Sequence, residues 1–148
     1  MEVRDFLPTD TMHRRTPLPL CGCFIISDSA VVINTNSDAI LQGVAASPSF
    51  MPITDTYYES DMGWEIVGSD GQAYPNWKCN VTLAGPSLYL SMGPEQWFAF
   101  DLETHEGAGF LSIYDSGPSR ELNIQRYFQA IAYNLRDSTA NRGGAGGL

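Results

Sequence analysis

At 148 residues the chain is the size of one domain, long enough to bury roughly 70% of its unfolded surface without disulfide support. Its 17 acidic residues outnumber 8 basic ones, for a net charge of −9, and this argues against general phosphate-backbone binding, which needs clustered cations. No run approaches the roughly 20 apolar residues of a membrane span, so neither nucleic acid nor membrane is an expected partner.

Residues 1–20 are polar and proline-containing and read as an extended arm. Leu18 to Ile26 follows His13, Arg14 and Arg15, which resembles a signal peptide in outline. The acidic start and the interruptions at Pro17 and Pro19 argue against one, so the expected location is cytoplasmic. Gly22 to Ile26 and Ala30 to Asn34 are apolar runs separated by Ser27-Asp28-Ser29, and they form a hairpin or one bent strand. Ser37 caps a short helix over 37–47, with Ile40, Leu41 and Val44 inward, which Pro48 and Pro52 bring to an end. Met51 to Met62 has no period and reads as a surface loop. Trp64 to Val67 starts a meander, and Asp70-Gly71 has the composition of a hairpin turn.

The clearest pattern follows. Trp77, Cys79, Val81 and Leu83 alternate with polar residues, as do Leu88, Leu90 and Met92, then Phe98, Phe100 and Leu102. Leu111 and Ile113 share one face of a further strand, with Phe110, Ser112 and Tyr114 on the other. Ala84-Gly85-Pro86, Gly93-Pro94-Glu95 and the segment 103–107 are spacers in which proline presets φ and glycine permits positive φ. Such short connections predict antiparallel neighbours. Ser119 is the expected N-cap of a long helix with Leu122, Tyr127, Ile131 and Leu135 on its apolar stripe, widened by Ile124, Phe128 and Ala132. From Asp137 to Leu148 the chain is Gly-rich and aperiodic, and it reads as a flexible tail.

The expected fold is therefore α+β. An antiparallel meander of about five to seven strands is packed by one long C-terminal helix and a short helix near 37–47. The single domain spans 21–136.

The chemistry-bearing residues mostly favour bland roles. Cys21 and Cys23 share a strand face, but a zinc site with Cys79 and His13 requires distant segments to converge, and no paired C-x-x-C is present. Buried small apolar residues are the commoner role for cysteine. His105 is the better candidate base, with Asp101 four residues earlier, yet it sits in a polar turn. There is no G-x-S-x-G elbow and no phosphate-binding loop. No catalytic residue, metal or cofactor is assigned. Aromatics are the feature that points to recognition. Trp97 alternates against Phe98 and Phe100, so it faces out, and Tyr89 lies on the corresponding outer face of its strand. Tyr57 and Tyr58 sit in the loop. The expected binding residues are Trp97, Tyr89, Tyr57, Tyr58 and His105.

The run from Ser87 through Leu-Tyr-Leu-Ser-Met-Gly-Pro-Glu-Gln-Trp-Phe-Ala-Phe-Asp-Leu to Glu103, then Gly107-Ala-Gly-Phe-Leu-Ser-Ile-Tyr114 and the 119–135 helix, resembles the small N-terminal domain that precedes the kinase domain in bacterial HPr kinase/phosphorylase-like proteins. The resemblance covers about the last 60 structured residues. It implies a stand-alone relative, or a fragment, of an accessory domain. In that family a phosphate-binding loop follows; here the chain ends after Asn141-Arg-Gly-Gly-Ala-Gly-Gly-Leu, so no kinase residue is carried over. The leading expectation is a non-catalytic recognition or assembly module that binds a protein partner or a second copy. The alternative is a small enzyme or a domain for a small-molecule ligand, with a pocket near the 50–62 loop and His105.

Overall fold

The computed structural model describes residues 18–27, 29–53, 61–69, 77–93 and 96–113, together with a helix from 118 to 147 whose side chains are described over 120–136. Eight strands form one sheet: β1 (Leu20–Ile26), β2 (Ser29–Thr35), β3 (Met51–Pro52), β4 (Met62–Ser69), β5 (Cys79–Ala84), β6 (Ser87–Met92), β7 (Trp97–Asp101) and β8 (Glu106–Ser112). Among the described residues two helices accompany them, α1 (Asp38–Ala46) after β2 and α2 (Pro118–Gly147) after β8. The class is α+β, as the alternation predicted. The strand order is β3-β1-β2-β4-β8-β7-β6-β5.

The sheet is mixed, and this corrects the purely antiparallel expectation. β5 to β8 form the predicted meander, with antiparallel neighbours throughout. β1 and β2 form a hairpin across a two-residue loop in which Ser27 takes φ 47. The two halves meet along β4, which runs parallel to β2 on one side and to β8 on the other. β4 therefore does not start the meander. It has no pairing with β5, so the expected Asp70-Gly71 hairpin does not join neighbouring strands; the turn itself lies outside the described residues. Sequence periodicity specifies faces, not partners, and the long return of the chain through α1 is what permits a parallel pair.

Two polar side chains extend the β2–β4 ladder at its ends. Asn36 accepts from the Gly68 amide at 2.7 Å and donates to the Gly68 carbonyl at 2.9 Å. At the other end the Asp61 carboxylate accepts from the Ala30 amide at 2.9 Å, while the Asp61 amide donates to the Ala30 carbonyl at 2.8 Å. Each side chain occupies the place of a missing backbone partner.

Both helices lie on one face. Gly43 of α1 touches Ile124 of α2, Ile40 reaches Gly68 of β4, and Tyr127 reaches Gly109 of β8. Ser37 is the N-cap of α1 with extended backbone angles, without a side-chain cap hydrogen bond. Under the helices lies an aromatic core in edge-to-face contact. Phe50 is its hub, with ring centroids 6.4 Å from Phe24, 5.9 Å from Trp64 and 5.8 Å from Phe128. Trp64 and Phe98 fill the hollow above Gly107, where a Cβ would strike both rings.

The phase of α2 differs from the sequence reading. Asn123, Ile124, Tyr127, Phe128, Ile131, Ala132 and Leu135 are buried, while Leu122 is 48% exposed. Leu122 lies half a turn from the stripe at 3.6 residues per turn, so it could not have joined it. Helical backbone continues past Arg136, where the sequence reading placed a flexible tail; the side chains from 137 onward lie outside the described residues. β5 also departs from expectation. Val81 and Leu83 point to the helix-covered side but are 49% and 53% exposed, because β5 is the last strand and the helices leave it uncovered.

Candidate recognition surface

The face opposite the helices carries no helix among the described residues. Strand alternation places Tyr89, Trp97 and Phe110 on it. Trp97 pairs with Ser91 and with Phe110, and Tyr89 pairs with Ala99. Tyr89 and Trp97 thus sit on a diagonal of adjacent strands. Their rings stack, 6.4 Å between centroids and 18° between planes. Phe110 lies directly across from Trp97 on the next strand. All three side chains are half-buried, whereas Phe98 and Phe100 are buried on the opposite face. The expected reversal of Trp97 against Phe98 and Phe100 is what the register gives.

Small residues run beside this aromatic group. Ala99, Ala108 and, through β4, Glu65 and Asn34 form one register row, and Ala99 and Ala108 are 1% and 0% exposed. Ala99 and Ala108 are thus covered by their neighbours, and the half-buried rings are the accessible part of this group. Phe110 was legible as outward from its alternation with Leu111, although its register against Trp97 was not.

His105 is elsewhere. It ends the β7–β8 turn at φ 63, exposed, with its ring stacked on Phe100 at 6.3 Å. Since Phe100 belongs to the helix-covered face, His105 leans away from Trp97. Asp101 is not its orienting partner in a catalytic pair. One oxygen of the Asp101 carboxylate accepts from the Glu103 and Thr104 amides at 2.8 and 3.0 Å, and the Asp101 carbonyl accepts from the His105 amide at 2.8 Å. These bonds build the turn. Tyr57 and Tyr58 lie outside the described residues, as does most of the loop expected to cover a pocket. A shallow groove of about 250 Å³ lies instead between α1 and α2, lined by Ala39, Gln42, Arg120, Glu121 and Gln125 among others.

The cysteines cannot share a metal. Cys21 and Cys23 project from β1 on the face opposite the helices, and both are exposed. Cys79 is on β5, six strand spacings away, roughly 29 Å at about 4.8 Å each. Burial raises the Cys21 thiol above its ordinary value, with a further rise from neighbouring Cys23, and burial raises Cys79 as well. Both thiols are thus held protonated near neutrality, the weak form for attack or ligation. This separation keeps Cys79 from joining Cys21 and Cys23 in the zinc site weighed from the sequence.

A polar cluster that periodicity did not single out ties α2 to the sheet. Asn123, 1% exposed, donates to Gln96 Oε1 at 2.7 Å and to the Ser112 carbonyl at 3.0 Å. Its Oδ1 accepts from Trp77 Nε1 at 2.8 Å. Gln96 Oε1 also accepts from the Ser112 amide at 3.1 Å, and Gln96 Nε2 donates to the Met92 carbonyl at 3.0 Å. With its amide hydrogen bonds satisfied from within, the cluster reads as a structural clamp and not a ligand site. A polar residue beside an apolar stripe gives no sequence signal that distinguishes such a clamp from a solvated position.

Comparison of the chain with protein-family models, with curated proteins and with solved structures found no match.

Proposed function

We propose that the chain is a non-catalytic recognition or assembly module, and that its contact surface is the sheet face bearing Tyr89, Trp97 and Phe110. The observation that carries this reading is the stacked Tyr89–Trp97 pair on the face remote from both helices. Large aromatics placed on the far side of a sheet from its core do little for folding, and they are enriched where proteins meet. The partner class is protein, in a bacterial cytoplasmic setting. Within this reading the domain is a relative of the accessory domain of HPr kinase-like proteins, without phosphoryl-transfer chemistry of its own.

The turn role of Asp101 weighs against an active site centred on His105. Affinity capture from a bacterial lysate with the full chain, beside a Tyr89→Ala/Trp97→Ala variant, tests the reading. A protein retained by the natural chain and lost by a folded variant supports it. A protein retained equally by both removes the aromatic face from consideration.

A further inference from the structure

We propose that the chain forms a two-fold dimer in which β5 pairs antiparallel with β5 of a second copy, making one continuous sheet. This goes beyond the aromatic face and uses a different surface. The two ends of the sheet are built differently. At one end β3 has two residues and includes Pro52, and a short edge blunted by proline is a common defence against edge pairing. At the other end β5 has six residues, Cys-Asn-Val-Thr-Leu-Ala, with no charge and no proline. Among the described residues no strand pairs with its outer side.

The main chain of β5 points the right way. β5 and β6 are joined by Gly85-Pro86, with Gly85 at φ 59, the positive value required of the first residue in a II′ hairpin turn. In such a two-residue hairpin the flanking residues, Ala84 and Ser87, exchange both backbone hydrogen bonds. Alternation then turns the amides and carbonyls of Asn80 and Thr82 toward β6, and those of Cys79, Val81 and Leu83 toward the free edge. Val81 and Leu83 are also the exposed apolar side chains of this strand. The same two residues therefore offer unpaired backbone groups and uncovered apolar surface.

Register and charge argue for a second copy as the occupant. With Thr82 on the two-fold axis facing Thr82 of the second copy, Val81 faces Leu83 twice by symmetry, so each exposed apolar side chain covers the other. β5 carries no charged residue from Cys79 to Ala84, so two copies of net charge −9 meet along a stretch of edge where no like charges face each other. An unrelated strand brings no such self-match.

Sedimentation of the full chain across concentration is expected to show a monomer–dimer equilibrium that tightens as salt screens the net charge of −9 on each copy. Val81→Pro removes an amide that faces the free edge and spares the β5–β6 ladder, so it should give a folded monomer; Leu83→Lys should do the same without altering the backbone. In a chain carrying Cys21→Ser, Cys23→Ser and Cys79→Ser, Thr82→Cys should form a covalent dimer with oxidised glutathione as oxidant, and Asn80→Cys should not. A chain that stays monomeric up to its solubility limit overturns the proposal. So does a dimer that survives Leu83→Lys and fails to cross-link through Thr82→Cys; if Trp97→Ala then dissociates it, the aromatic face is the interface instead.

Discussion

The Tyr127 hydroxyl donates to the Trp97 carbonyl at 2.7 Å, and the Phe110 backbone is its second partner. Trp97 and Phe110 are register partners on β7 and β8, so a side chain from α2 bridges two strands from the helix side. It reaches them through the space above Gly109, where a Cβ would collide with the hydroxyl. The two residues that display their rings on one face are thereby joined through the sheet to the helix on the other.

Gly109→Ala is expected to destabilise the fold by about 1–3 kcal/mol or more, as overpacking does. Tyr127→Phe should cost roughly 1–3 kcal/mol by leaving backbone groups unsatisfied. The double variant should cost less than the sum, since removing the hydroxyl makes room for the added methyl. Denaturant melts of all three measure this. Strict additivity would show that Gly109 does not serve the hydroxyl.

Alkaline stability should depend on the same residue. Burial pushes the Tyr127 phenol well above its ordinary value of 10.0. Above that ordinary value the unfolded chain loses the proton while the folded one keeps it. The folded state then binds more protons, and stability falls as pH rises past about 10. Below that range the group contributes no pH dependence. Tyr127→Phe should flatten this alkaline decline, measured as the denaturation midpoint against pH; an unchanged decline would assign it to other groups.

Asn123 should tolerate no change of donors. Asn123→Asp keeps the shape but replaces two donated hydrogen bonds, to Gln96 Oε1 and the Ser112 carbonyl, with a buried carboxylate facing two acceptors. It is expected to cost more than Asn123→Ala, itself about 2–4 kcal/mol. Calorimetry on both variants checks the order; equal losses would show that solvent reaches the site.

Trp97→Ala should leave the monomer folded and weaken capture of the protein partner, without changing the self-association of the chain. The stack on Tyr89 is worth about 0.5–1.5 kcal/mol beyond area burial, far less than the roughly 3–5 kcal/mol of a buried core aromatic. Denaturant melts and affinity capture on the same variant separate the two. Loss of the larger amount would place Trp97 in the core and remove the support for the aromatic recognition surface.

Much of the C-terminal half was legible because period-two alternation reports directly on which face a side chain takes. Trp97 against Phe98, and Phe110 against Leu111, needed nothing more. Partner choice was not legible. β4 reads as one more strand before the meander, and nothing local distinguishes an antiparallel neighbour from a parallel one reached through α1. Val81 and Leu83 show the opposite limit: their alternation gave the correct face, but exposure depends on how far two helices extend across a sheet of eight strands. Asn123 and Leu122 were exchanged because neighbouring positions on a helix differ by about 100°, enough to move a residue from core to solvent.

The placement of β8 also has a consequence for synthesis. β8, the last of the described strands in chain order, lies between β4 and β7, in the interior of the sheet. Until it emerges from the ribosome, β4 has one vacant side, and Trp64 and Ile66 have no strand on that flank. Until α2 follows, the aromatic core has no lid. The nascent chain must therefore carry its most apolar surface uncovered through most of translation, the condition in which chaperones engage and proteases cut. A chain stalled after Leu102 should be readily digested. Resistance should arrive only when β8 and the first turns of α2 have cleared the exit tunnel, so the described sheet is completed from its middle.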